Sequence, residues 1–178
     1  MRTMDGTEQA AVRSQIRRAF EMLGTESGKG NATALQILWQ ATRIPGLKGF
    51  ATEGLGHAAA QGNEEALKAL LDPERHNLLR SSAVSALKFA ANAGNAQAIE
   101  ALAETARDQR QRGLWVLAAQ GLAKAACAGN VTAIDGLAKI AAPENHPIIR
   151  SEALSALEAA AHQGQGRAEE ALRKLGAR

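Results

Sequence analysis

A nine-residue phrase, Gly-Asn-x-x-Ala-x-x-x-Leu, returns along the chain at Gly30, Gly62, Gly94 and Gly129, and in altered form, with Gln165 after the glycine, at Gly164. The glycines are spaced by 32, 32, 35 and 35 residues. Self-similarity at such a period marks stacked supersecondary units, none of which buries its apolar face alone. Counted back from each glycine, the preceding residues repeat as well. Position −7 is Leu23, Leu55, Leu87, Leu122 and Leu157; position −11 is Ala19, Ala51, Ala83, Ala118 and Ala153; position −8 is Met22, Gly54, Ala86, Gly121 and Ala156. Spacings of three and four residues put these on one face of a helix, the predicted packing seam.

Small or apolar residues recur at +4, +7 and +8, so each unit reads as helix, Gly-Asn, helix. The glycine supplies the left-handed conformation that ends the first helix, and Asn is a favoured N-cap for the second. A connection of about two residues makes the two helices antiparallel neighbours. The expected fold is therefore all-α, with about five helical hairpins in a single domain over residues 1–178: 7–24 with 31–43, 46–61 with 63–71, 77–93 with 95–106, 112–128 with 130–141, and 147–163 with 166–176. Pro45 and Pro147 fall where a first helical position needs no amide donor. The first and last helices, 8–23 and 167–175, carry more charge than the interior ones, as capping units of a whole array are expected to.

Composition agrees with close helix packing. Apolar residues make up 46% of the chain but aromatics only 3%, and there are 40 alanines; alanine has the best intrinsic helix propensity. The formal charge of +3 is spread among interspersed acids and bases, which permits a nucleic-acid partner without indicating one. A lone Cys127 excludes an internal disulfide framework. No apolar run approaches the roughly 18 residues of a membrane span, and residues 1–10 contain no hydrophobic signal core. A cytoplasmic monomer is expected, with no membrane partner.

Two segments joining hairpins correspond at a separation of 70 residues, Asp72-Pro73-Glu74-Arg75-His76-Asn77-Leu78-Leu79-Arg80 and Ala142-Pro143-Glu144-Asn145-His146-Pro147-Ile148-Ile149-Arg150. Each runs into a helix, Leu79-Arg80-x-x-Ala83-x-x-Ala86-Leu87 and Ile149-Arg150-x-x-Ala153-x-x-Ala156-Leu157, with Leu47-Lys48-x-x-Ala51-x-x-Gly54-Leu55 as a weaker copy. This pattern resembles the second-helix motif of the HEAT and armadillo-like family. That family's ladder of acid and arginine looks matched by Glu74 with Arg80 and by Glu144 with Arg150, and is interrupted where Gln109 and Trp115 stand in the fourth hairpin. The resemblance implies a right-handed α-solenoid, a HEAT-like superhelix, with Arg80 and Arg150 on the helices lining its concave side. The phrase around Gly62 also resembles ankyrin repeats and Sel1-like repeats. The ankyrin Thr-Pro-Leu-His signature is missing, and the tyrosines of Sel1-like repeats have no counterpart in a chain without Tyr.

Residues that carry chemistry are sparse. His76 and His146 occupy equivalent loops two units apart, so helices packing about 8–10 Å apart separate them by about 20 Å, too far to share a metal. His57 and His162 lie on different hairpins away from Cys127; no metal site and no cofactor are expected, and the histidines read as solvated. Gly24-Thr25-Glu26-Ser27-Gly28-Lys29-Gly30 approaches a phosphate-binding loop but is one residue short, with no hydroxyl after Lys29 and no strand before it. It reads as a longer turn in the first hairpin. Asn31 and Asn130 begin formal glycosylation sequons and read as helix caps.

What is left is the helix surface opposite the seam. It supplies Ser81, Ser85 and Lys88; Val116 and Gln120; Ser151 and Ser155, a polar and nearly neutral strip that suits a peptide or protein better than a phosphate backbone. Trp115 replaces the basic residue of position −14 and, with Arg80 and Arg150 at that position in flanking units, has the composition of an interface hot spot. Its other reading is a ring lying over the seam beneath arginine stems. The expected function is a non-catalytic scaffold or adaptor that holds a protein or peptide. One alternative is nucleic-acid binding through Arg13, Arg17, Arg18 and Lys29 at one end and Arg107, Arg110 and Arg112 in one joining loop. A second is an enzyme resembling the HEAT-like DNA glycosylases, which needs an acid beside an exposed Trp; neither Trp39 nor Trp115 has one at helical spacing.

Overall fold

The computed structural model describes residues 5–176, with the side chains of 73–80 and 109 outside the described residues. Among the described residues the fold is all-helical. The helices are α1 (Gly6–Gly28), α2 (Ala32–Ala41), α3 (Lys48–Ala60), α4 (Glu64–Leu71), α5 (Pro73–Asn92), α6 (Ala96–Arg107), α7 (Trp115–Cys127), α8 (Val131–Ile140), α9 (Pro147–His162) and α10 (Gly166–Lys174), with a 3-10 helix at Gln109–Leu114 before α7. None of the helices is long and apolar enough to cross a membrane.

The Gly-Asn phrase closes one helix and opens the next. Gly30, Gly62, Gly94, Gly129 and Gly164 have φ between +83° and +93°, a left-handed region that costs glycine nothing. The following residue's N–H donates back into the helix just ended: Asn31 to the Glu26 carbonyl at 3.0 Å, Asn63 to Ala58 at 3.1 Å, Asn95 to Ala90 at 3.0 Å and Asn130 to Ala125 at 3.0 Å. This is the Schellman arrangement, which satisfies carbonyls left over at a helix end. The same asparagines accept through Oδ1 from the N–H of Ala34, Ala66, Ala98 and Ala133 at 2.9–3.1 Å. Both sequon asparagines are therefore helix caps.

The first helices of the hairpins lie side by side in chain order, α1 against α3, α3 against α5, α5 against α7 and α7 against α9. Each of α2, α4, α6 and α8 packs on its own partner and on the first helix of the next pair, α10 packs on α9, and α8 also touches α6 and α10. Interior first helices bury two faces. In α7, for example, Ala118, Gly121, Leu122 and Ala125 are buried, and so are Ala119 and Ala126 one step round the helix. Each fully buried Leu contributes about 1.5–3 kcal/mol, while the alanines between them let the helices come close.

At α1 the predicted seam fails. Ala19 is exposed and Met22 is 69% exposed, whereas Phe20, Gly24 and Ser27 are buried. Among the described residues no helix packs against the preceding side of α1, so only its faces toward α2 and α3 are covered. The boundaries of the first hairpin also differ from the expectation. The segment from Gly24 to Gly30 is not an extended turn; α1 continues through Gly28. The glycines serve close packing rather than a turn, because a Cβ at Gly24 would overlap the Gly54 carbonyl oxygen and one at Gly28 would meet the Gln61 side chain at 2.6 Å.

Candidate functional site

A cleft of about 620 Å3 crosses α1, α3, α5 and α7. It is built from the helix positions opposite the seam, so consecutive helices each contribute a short row of side chains. Arg17 comes from α1, Phe50 and Glu53 from α3, Ser81, Ser82, Ser85, Lys88, Phe89 and Asn92 from α5, and Gln120 and Lys124 from α7. Four of the predicted residues, Ser81, Ser85, Lys88 and Gln120, thus share one cavity. Its charge is graded along the helix row. Glu53 stands at the α1–α3 end, where Arg17 Nε lies 3.4 Å from its Oε2, and Lys88 and Lys124 stand at the α5–α7 end. Asn92 Oδ1 is buried without a hydrogen-bond partner at the cleft lining, an acceptor of the kind native folds seldom leave unmade.

The other predicted residues lie elsewhere. Ser151 and Ser155 are exposed on α9, and Val116 is half-buried on α7; none of the three lines the cleft. The Arg80 side chain is outside the described residues. Arg150 is half-buried and its Nε has no hydrogen-bond partner. Glu144 is exposed and forms no ion pair with Arg150, so the acid-to-arginine ladder is not formed there.

Trp115, named above as an interface residue, takes its other reading, a ring over the seam. It is 4% exposed and belongs to the core cluster, so it is not a surface anchor. The 3-10 helix preceding α7 explains the burial. Asp108 caps it by accepting from the Arg110 N–H at 2.9 Å and from Gln111 Nε2 at 2.9 Å, which folds the chain back over the indole. Trp115 Nε1 donates to the Asp108 carbonyl at 2.8 Å. The Arg112 guanidinium lies 5.7 Å from the ring centroid, and the His146 ring packs at 5.2 Å. The ring neighbours are thus a cation and an imidazole, not the carboxylate that a glycosylase-like reading wants.

Several cations named for nucleic-acid binding have local partners. Arg17 pairs with Glu53, Lys29 Nζ is 2.8 Å from Glu26, Arg107 Nε donates to the Ala103 carbonyl, and Arg112 covers Trp115. His146 is a cap rather than a free loop histidine, its Nδ1 accepting from the Ile148 N–H at 3.3 Å, while His76 lies outside the described side chains.

One grouping escapes a search limited to histidines and cysteine. Glu21, Glu53 and His57 are all half-buried, with potential ligand atoms within 4.8 Å of one another. Glu21 and Glu53 both occupy position −9 of their units, and His57 follows Glu53 by one helical turn. The signal is therefore present in the sequence, as equivalent positions on adjacent helices. His57 is not solvated as expected, because its ring packs on Phe89 with centroids 4.4 Å apart.

No protein-family model, curated protein or solved structure matches the chain.

Proposed function

We propose that the chain is a right-handed HEAT-like solenoid whose side-by-side first helices form a concave surface, and that the cleft across them holds an extended segment of a protein or peptide without catalysing its conversion. The observation that carries this reading is the continuity of the cleft over four successive helices, with hydroxyl, amide, aromatic and charged groups in one lining. An extended backbone needs alternating donors and acceptors. Ser81, Ser85, Gln120 and the unsatisfied Asn92 Oδ1 supply them, and Phe50 and Phe89 offer apolar surface for one or two side chains. With Glu53 already paired to Arg17, the charge gradient favours a segment with acidic residues toward Lys88 and Lys124. Nucleic acid is the weaker reading, since phosphate binding draws on clustered, unengaged cations.

The reading is tested by selecting peptides from a displayed random library on the wild-type protein and measuring the selected sequences against a Ser85→Trp, Lys88→Glu double variant. Selected peptides should be enriched in acidic residues and lose about tenfold or more in affinity, about 1.4 kcal/mol. Peptides that bind the double variant as tightly as the wild type would sink the assignment. Steeply salt-dependent binding to DNA, unaffected by the double variant, would favour the nucleic-acid reading.

A further inference from the structure

We infer that Glu21, Glu53 and His57 form a binding site for a divalent transition-metal ion of the zinc class at the α1–α3 junction. Glu53 also lines the cleft, but the inference rests on the grouping of the three side chains and not on the peptide reading. It begins with placement: in a row of packed helices, equivalent positions become neighbours, and position −9 is acidic in the first two units alone, being Ser85, Gln120 and Ser155 in the others. The next turn of α3 adds an imidazole where the other units have Thr25, Phe89, Lys124 and Ala159. Two carboxylates and an imidazole are thereby brought together from two helices.

Distances fit a metal after small adjustments. For three atoms within 4.8 Å of one another, some point lies within about 2.8 Å of all three, so the 2.0–2.2 Å bonds of zinc to imidazole nitrogen and carboxylate oxygen require movements of less than about 1 Å. Side-chain rotations of that size leave the helices in place. The approach of α1 to α3 is set by backbone contact, because a Cβ on Gly24 would come within 2.9 Å of His57 Cβ and overlap the Gly54 carbonyl oxygen, and one on Gly54 would stand 2.7 Å from the Phe20 carbonyl oxygen. A bulkier residue at either glycine would spread the ligands.

The surroundings orient the ligands. Packing on Phe89 restrains the His57 ring, and Arg17 holds Glu53 from one side at Oε2. Two carboxylates this close repel each other, and Arg17 balances only one of them; a cation held between them offsets the repulsion that is left. Imidazole selects the zinc, iron and nickel group over magnesium and calcium, which prefer all-oxygen shells. Three protein ligands of this kind leave at least one position for water or an incoming ligand.

The test uses the full chain. Isothermal titration with zinc chloride should give one equivalent, and cobalt(II) should give the visible absorption of a low-symmetry site. His57→Gln, which keeps a side chain against Phe89, and Glu21→Gln should each weaken zinc binding by about tenfold or more, given that even outer-shell partners tell on that scale. Cys127→Ser and His162→Ala should leave it unchanged. Circular dichroism checks that each variant is folded, and if one is not, the other decides. The inference is overturned by the absence of zinc binding at millimolar concentration, by affinity unchanged in both ligand variants, by loss of binding in Cys127→Ser or His162→Ala, or by equal affinity for magnesium.

Discussion

The α1–α3 and α5–α7 junctions are built from the same helix positions and arrive at different surfaces. At the first, Gly24 and Gly54 bring backbone against backbone, so Glu21 and Glu53 stand together with His57. At the second, the residue facing Gly121 is Lys88, whose Cγ would lie 2.7 Å from an added Cβ, and the exposed row beside it is Ser85, Gln120 and Lys124. One junction collects carboxylates and an imidazole; the other offers hydroxyl, amide and ammonium groups. Seam residues determine how closely two helices approach, and residues one step round the helix determine what that approach brings together.

The largest expected effect separates the junctions at the core. Trp115→Ala should lower unfolding stability by about 3–5 kcal/mol, measured by denaturant titration, because the indole is buried beside α7 and no repacking of alanines replaces its volume. Trp115→Phe keeps most of the contact and loses the bond to the Asp108 carbonyl, for about 1 kcal/mol. A near-neutral Trp115→Ala would return the residue to the surface and undo the account of the 3-10 helix.

Next comes a paired glycine test. Gly24→Ala puts a methyl group against backbone and should cost about 1–3 kcal/mol through overpacking. Gly121→Ala meets Lys88 Cγ and the buried Leu102 Cδ1, side-chain atoms rather than backbone, and removing a helix-interior glycine regains about 0.5–1 kcal/mol, so its net loss should be smaller than that at Gly24. Equal losses at the two sites would mean that the junctions are equally tight and that the contrast between them is false.

A further test concerns the caps. Asn63→Ala should cost about 1 kcal/mol as a lost N-cap, and more than Asn31→Ala, because Asn63 Nδ2 also donates to the Ser27 carbonyl of the preceding hairpin at 2.8 Å. Identical melting temperatures for the two variants would reduce the asparagine to a local device with no role between hairpins.

Much of the helical framework was legible in advance. Leu55, Leu87, Leu122 and Leu157 are buried as the spacing predicts, and the glycine and asparagine of each turn behave as their chemistry requires. Ser81, Ser85, Lys88 and Gln120 were legible as a shared strip, since helical phase alone puts them opposite the seam. Misreadings arose where contact, rather than phase, decides. Gly24 has the look of a helix end but lies inside a helix and serves close packing against α3; Trp115 has the composition of an anchor but is covered by a segment whose fold depends on the Asp108 cap.

What the amino-acid sequence determined by itself is local and periodic: where helices begin and end at each Gly-Asn, which face is apolar, and which residues share a row. Those follow from backbone preferences and from the 3.6-residue turn, which act within a few residues. Only the tertiary structure decided that Glu21, Glu53 and His57 meet, that the cleft stops at α7, and that Trp115 is interior. The first two depend on the distance between elements about thirty residues apart in the chain, and the third on how the Asp108-capped segment folds back over the ring.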